Sequence, residues 1–239
     1  MAAVPKVALS GHPKAIIAPH AGYRYSGRVA GAAFATLEEA APGIERVVLI
    51  GPAHYVPFRG IAVPTVEAFE TPLGRVPLDR DALAALAGLP GVQVADEPHA
   101  PEHALEVELP FLQALLPRFM VLPLLVGDAR PEEVAAVLDR LWGGRETVVV
   151  VSSDLSHFHD YETARRRDAG TAAVIERGAW TGLGPGDACG YLAVAGLLAQ
   201  TTRRGFSAQR LALCNSGDTA GAPDRVVGYG AWLFAGGRT

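Results

Sequence analysis

TVVVVSSDLSH, residues 147–157, is an uninterrupted β-branched run that ends in a group of polar side chains. A short apolar run without polar alternation is typical of a strand buried on both faces of a sheet. Helices must then cover both faces. The polar residues Asp154 and His157 would lie just beyond the carboxyl end of this strand, where open α/β sheets form their ligand crevice.

Strand-like and helix-like segments alternate along the rest of the chain. The predicted strands cover 15–18, 46–50, 60–66, 119–126, 147–151, 207–213 and 225–234, and ETPLGRVPLD (70–79) is predicted to form a hairpin. The predicted helices cover 27–37, 81–87 with Asp79 as its cap, 102–116, 131–142, 161–177 and 189–199, and Pro110 is expected to kink or split the third of them. This order predicts a single α/β domain over residues 1–239, with three α/β/α layers and a mostly parallel or mixed central sheet.

Composition excludes several classes of function. The chain has 239 residues and a formal net charge of -4, with no basic block, so we expect no nucleic-acid partner. The longest apolar runs, such as 119–126, are far shorter than the roughly 20 residues of a membrane span, and no signal-peptide pattern is present. Only two cysteines occur, too few for a disulfide framework. We therefore expect a cytoplasmic, membrane-independent protein that binds a small molecule or a peptide.

Histidines follow three of the predicted strands. His20 comes after AIIAP, His54 after VVLIGP, and His157 after TVVVVSS together with Asp154. Each one alone is equally typical of a hydrogen-bonded loop, but three strands that end in such residues at one sheet edge favour a site. Because imidazole is the commonest nitrogen ligand of zinc, iron and copper, the pattern indicates a metal centre.

Cys189 is the best candidate for a third ligand. It stands just before a predicted helix, where free backbone N–H groups are expected to lower the thiol pKa and favour the metal-binding thiolate. Local sequence alone more often indicates a small buried side chain, which is also our interpretation of Cys214. His103 is a candidate to assist beside the ligands, and Tyr23 and Tyr25 are candidates to donate hydrogen bonds to a bound molecule.

Six blocks of the sequence, in this order and at comparable spacing, resemble the Memo family. They are PHAGYRYSG (19–27), LIGPAHY (49–55), ETPLGRVPLD (70–79), EHALEVELPFL (102–112), SSDLSH (152–157) and ACG (188–190). Memo proteins are similar in fold to the class III (LigB-type) extradiol dioxygenases, which are non-haem iron enzymes, and the resemblance implies that fold here. It also implies a metal site formed by His20, His54 and Cys189, with Asp154 and His157 beside it.

Three departures from the family pattern restrict this inference. Only residues 1–14 precede the first predicted strand, where family members usually carry a longer segment, so one wall of the crevice is expected to be more open. Ala104 and Glu108 replace the Ser and Gln of the usual EHS-x-E-x-QLPFL block, which puts any role of these positions in doubt. The dioxygenases use two histidines and a carboxylate, which Cys189 replaces, so catechol cleavage does not follow from the resemblance.

Three functions fit these residues. The first is a redox enzyme in which Fe(II), or else copper, acts with O2 on a small substrate, with His157 as general acid or base oriented by Asp154. The second is a scaffold that recognises a peptide or metabolite without turnover, with Arg24 as the obvious phosphate-binding side chain. The third is a zinc-dependent hydrolase. The resemblance also implies a functional link to radical-SAM and AMMECR-type proteins, near whose genes many relatives are encoded.

Overall fold

A mixed nine-stranded sheet forms the middle layer of the protein in the computed structural model, which describes residues 11–236. The expected N-terminal difference from the family falls largely on residues 1–10, which lie outside the described residues. The hairpin predicted near 70–79 forms a separate two-stranded unit. The strands are β1 (Pro13–Ala18), β2 (Arg46–Pro52), β3 (Ile61–Val63), β4 (Ala68–Thr71), β5 (Gly74–Pro77), β6 (Val92–Val94), β7 (Met120–Val126), β8 (Thr147–Ser152), β9 (His157–His159), β10 (Phe206–Asn215) and β11 (Val226–Gly236).

Four parallel strands make up the centre of the large sheet. The order is β10-β11-β1-β8-β2-β7-β3-β6, with β9 paired to β11. Strands β1, β8, β2 and β7 run parallel, whereas β11 joins β1 and β3 joins β7 in the antiparallel sense. Val149 of β8 pairs with Ala15 on one side and Val48 on the other, so the β-branched run is buried in the sheet as predicted. The mixed central sheet is confirmed.

Helices flank the sheet, which confirms the predicted α/β/α class. Asp79 caps the second helix by accepting a hydrogen bond from the Ala82 N–H at 3.0 Å. Within residues 11–236, no helix combines the length and apolar character needed to cross a membrane. The helices are α1 (Tyr23–Ala35), α2 (Arg80–Ala84), α3 (Leu109–Leu115), α4 (Pro131–Leu141), α5 (Tyr161–Glu176) and α6 (Tyr191–Arg204).

Two helices begin four or more residues away from their predicted starts. The helix predicted over 102–116 is short, because 102–105 form a loop and turns, a 3-10 turn follows, and α3 begins only at Leu109. Pro110 lies in the first turn of α3, where its missing N–H needs no partner, so it starts the helix and does not kink it. Helix α1 begins at Tyr23 instead of Gly27, with Gly22 as its cap. The three-residue strands β6 and β9 are too short for hydrophobic periodicity to reveal.

Close packing between α4 and α6 depends on Gly196. A Cβ atom on Gly196 would lie 2.3 Å from Cγ1 of Val134, whereas one on Gly170 in α5 would meet open space. We expect Gly196→Ala to lower the free energy of unfolding by about 1–3 kcal/mol through overpacking. The matched control, Gly170→Ala, should raise it by roughly 0.5–1 kcal/mol through helix propensity. Urea denaturation measures both, and effects of the same sign and size would contradict the close approach of the helices.

Candidate metal centre

Four of the predicted site residues follow parallel strands, three of them in loops and His157 as the first residue of β9. His20 follows β1, His54 follows β2, and Asp154 and His157 follow β8. Because β1, β8 and β2 are neighbours in the sheet, these loops meet at one edge. There, His20, His54 and His103 offer ligand atoms that all lie within 4.8 Å of one another. The structure thus brings two predicted ligands together with the histidine that was predicted to assist beside them.

Glu102 organises the His54 side of this histidine cluster. Its carboxylate accepts hydrogen bonds from the backbone N–H of His54 at 2.6 Å and from the Nδ1–H of the same residue at 2.9 Å. It also accepts from the backbone N–H groups of His103 and Ala104, each at 3.0 Å. Burial by itself would raise the pKa of Glu102, but hydrogen bonds from His54 and Ala104 outweigh it and lower the pKa to about 2. Glu102 is therefore ionised and directs Nε2 of His54 away from itself.

His20 is the most deeply buried ring of the cluster, with 2% of the residue exposed. Its Nδ1 lies 2.7 Å from the Ser152 hydroxyl, and its Nε2 lies 3.4 Å from Sγ of Cys189. Burial, followed by the nearby His54 and His103, lowers the pKa of His20 to about 3. The ring is consequently neutral at neutral pH, which is the form of imidazole that binds metal ions.

The donor set of the histidine cluster fits a transition-metal ion. Nδ1 of each ring contacts a group outside the cluster. The partner is the Ser152 hydroxyl for His20 and the Glu102 carboxylate for His54. For His103 it is the Tyr55 hydroxyl, at 3.3 Å. Proteins usually orient metal-binding imidazoles through such outer hydrogen bonds, which leave Nε2 for the ion. Three imidazoles suit zinc, iron or copper. The cluster could therefore hold a metal ion.

Cys189 lies beside His20, but its thiol is not activated. The Asp154 N–H donates to Sγ at 3.3 Å. Burial, followed by the charge of Asp154, nevertheless raises the pKa of the Cys189 thiol to about 12. This corrects the expectation of a lowered thiol pKa. Cys189 does precede α6, which begins at Tyr191. However, burial removes water that would stabilise the thiolate, and this effect outweighs the few N–H contacts of Sγ. Its role as a metal ligand stays a prediction, because the set of mutually close donors consists of the three imidazoles.

Asp154 and His157 make different contacts beside the cluster. Oδ1 of Asp154 accepts hydrogen bonds from the backbone N–H groups of His20 at 2.9 Å and Ala21 at 3.3 Å, and so fixes the loop after β1. Burial raises the pKa of Asp154 above the ordinary range. His157 donates its Nδ1–H to the Leu155 carbonyl at 2.8 Å. The hydrogen bond made by Nδ1 of His157 thus goes to Leu155, and orientation of His157 by Asp154 stays a prediction.

The three candidates for ligand binding in the first block lie in the first turn of α1. Tyr23 donates its hydroxyl to the Val107 carbonyl at 2.9 Å and packs edge-on against Phe111. The exposed guanidinium of Arg24 lies 5.2 Å from the ring centroid of Tyr25. The Tyr23 hydroxyl is therefore engaged within the protein. A part for Tyr23, Arg24 or Tyr25 in ligand binding remains a prediction.

Three residues of the centre, Glu102, Ser152 and Tyr55, were not singled out from the sequence. Each of them lies at one end of a family block that contains a candidate histidine. The rule that a metal-binding imidazole needs an outer hydrogen-bond partner would direct attention to such neighbours. It would not have paired Glu102 with His54, since these residues are 48 positions apart in the chain.

Comparison with known proteins places the chain in a family. A family model described as "Memo-like protein" matches residues 3–233. A "MEMO1 family protein" of Thermotoga neapolitana is 37% identical over 233 residues, which cover 91% of this chain and 81% of that protein. One from Methanosarcina mazei is 36% identical over 233 residues (90% and 83%), and one from Aquifex aeolicus is 34% identical over 239 residues (93% and 86%). These matches extend over nearly the whole chain, and the chain belongs to the Memo family.

Proposed function

We propose that this chain is a metal-dependent redox enzyme that acts with O2 on a small substrate at the carboxyl ends of β1, β2 and β8. The observation that carries the proposal is the cluster of three imidazoles, with the Cys189 sulfur 3.4 Å from Nε2 of His20. We place Fe(II) first and copper second, because the family resemblance implies a fold similar to non-haem iron enzymes. The substrate is a small molecule that reaches this crevice.

The residues that would hold the ion are His20 and His54, with His103 and Cys189 as the further donors. Bound iron or copper would supply one-electron chemistry and O2 binding, which side chains alone lack. His20 forms the buried floor of the site. The side chains of His54 and His103 are 28% and 40% exposed, so the opposite side is open to an incoming substrate.

His157 is the proposed proton-transfer group. Its Nδ1–H is donated to the Leu155 carbonyl, so in the neutral form of the ring it is Nε2 that can take a proton from a substrate hydroxyl and later return it. Two features hold the ring in place: the hydrogen bond to Leu155 and the pairing of His157 with Val227 of β11. A fixed acceptor lowers the entropic cost of reaching the reactive geometry.

Anaerobic purification followed by metal analysis and O2-uptake assays with catechols tests this function. We expect one iron or copper ion per chain and measurable O2 consumption. His157→Gln should reduce turnover by about 10²–10⁴-fold while the metal content stays unchanged. His159→Gln, two residues along β9, is the matched control and should retain turnover. Protein without a stoichiometric transition metal, or an equal loss of turnover in both variants, would refute the proposal.

A zinc-dependent hydrolase is the second candidate, because three imidazoles are also a donor set of catalytic zinc. In that case His157 would take a proton from water in place of a substrate hydroxyl. The same metal analysis separates the two functions. Zinc as the bound element, without visible or paramagnetic signals and without O2 uptake, would favour the hydrolase.

A further inference from the structure

One hydroxyl group, Ser152 Oγ, lies where three polar groups meet behind the histidine cluster. It is 2.6 Å from the carbonyl oxygen of Ala104, 2.7 Å from Nδ1 of His20 and 3.0 Å from Oε1 of Glu108. A hydroxyl has one hydrogen to donate and two lone pairs with which to accept. The shortest contact is to a carbonyl, which can only accept, so the hydrogen of Ser152 is directed at Ala104.

The other two partners of Ser152, His20 and Glu108, must then donate the hydrogens of their own hydrogen bonds to Oγ. His20 can do so as the tautomer that carries hydrogen on Nδ1. Glu108 can do so only as a carboxylic acid, because an ionised carboxylate has no hydrogen to donate. If Ser152 donated to Glu108 instead, two oxygen atoms would face each other at 2.6 Å across the Ala104 contact without a hydrogen between them.

The surroundings of Glu108 also disfavour a charge. The residue is 0% exposed, and its Oε2 has no hydrogen-bond partner among the described residues. No ion pair formed within residues 11–236 includes Glu108. An ionised carboxylate that is buried without a cation or a full set of donors is costly, and the group protonates instead. In agreement, burial raises the pKa of Glu108 well above its ordinary value.

We propose that Glu108 is a neutral carboxylic acid that positions His20 through Ser152. Its O–H donates to Oγ, so the serine hydrogen stays on Ala104 and the remaining lone pair of Oγ accepts the Nδ1–H of His20. The imidazole is thereby held in the tautomer whose Nε2 lone pair faces the cluster. Glu108 touches neither the ion nor the substrate, so it is a positioning residue. The protonation state of Glu108 is a property of the metal-free protein, whereas the effect on metal affinity rests on the proposed function.

Infrared difference spectroscopy of the metal-free protein at neutral pH tests the protonation state directly. The wild-type spectrum minus that of Glu108→Gln should show the C=O stretch of a protonated carboxyl, which shifts on exchange into D2O. Glu106→Gln, an exposed neighbour, is the matched control and should remove only ionised carboxylate bands. Loss of carboxylate bands alone in Glu108→Gln would overturn the proposal.

Two further measurements test the positioning role. ¹⁵N NMR should show hydrogen on Nδ1 of His20 in the wild type and in Glu108→Gln, whose amide N–H can replace the acid, and a second tautomer in Glu108→Met. Zinc affinity, measured by chelator competition, should fall about 10-fold in Glu108→Met and be retained within about twofold in Glu108→Gln. An equal loss in both variants would overturn the role. The infrared and NMR results need no bound ion, so a failure of the metal proposal would leave them standing.

Discussion

His20→Ala is expected to abolish stoichiometric metal binding. The His20 ring is the buried member of the cluster, with its centroid 5.2 Å from that of His54 and 5.6 Å from that of His103. Its removal deletes a donor atom, and the affinity should fall by more than the roughly 10–100-fold caused by the loss of an outer partner. Metal content after dialysis, together with chelator competition, measures the effect.

His12→Ala is the matched control for this variant. His12 precedes β1, at the opposite end of the strand from His20, and its Nε2 lies 3.2 Å from the Arg145 carbonyl oxygen. This substitution should leave the metal content unchanged. Wild-type metal content in His20→Ala would show that the ion binds elsewhere and would remove the basis of the proposed function.

Glu102→Gln is expected to lower metal affinity by about 10–100-fold. The ionised carboxylate accepts four N–H hydrogen bonds, two of them from His54. A glutamine amide would direct its own N–H groups at some of these donors, so His54 would lose the partner that fixes its tautomer. The loss of these hydrogen bonds should also lower the free energy of unfolding of the metal-free protein by about 1–3 kcal/mol.

Chelator competition and urea denaturation measure the two effects of Glu102→Gln. Glu97→Gln is the control, because Glu97 is an exposed carboxylate a few positions earlier in the chain. A surface substitution of this kind should change stability by no more than about 0.5 kcal/mol. If the Glu102 and Glu97 variants bind metal equally well, the carboxylate does not orient a ligand.

The sheet and most helices could be predicted because their signals are local. The run at 147–151 pairs on both sides, and the strands that begin at Arg46 and near Met120 lie in the same parallel centre. The helix predicted over 102–116 begins later than expected. Its apolar spacing extends back to residue 102, but Glu102 forms a hydrogen bond with the backbone of His54 and lies outside the helix. That contact is not encoded in local periodicity, and neither is a three-residue strand such as β9.

The position of the site could be predicted in part. His20 and His54 follow strands that proved to be neighbours, and parallel strands carry their following loops to one edge. The position of His103 beside them depends on the loop that contains Glu102, whose carboxylate accepts a hydrogen bond from the backbone N–H of His103. Local sequence patterns do not predict this arrangement. The lowered thiol pKa expected for Cys189 was wrong, because its sequence position indicates a helix start but says nothing of its burial.

The sequence by itself determined the α/β class, the family and the edge of the sheet at which polar residues collect, because periodicity, chain order and motif spacing are written along the chain. Only the tertiary structure decided which nitrogen each imidazole leaves free and which acids keep their protons. These properties depend on burial and on hydrogen-bond partners that are distant in sequence, such as Glu108 and His20, which lie 44 and 132 positions from Ser152.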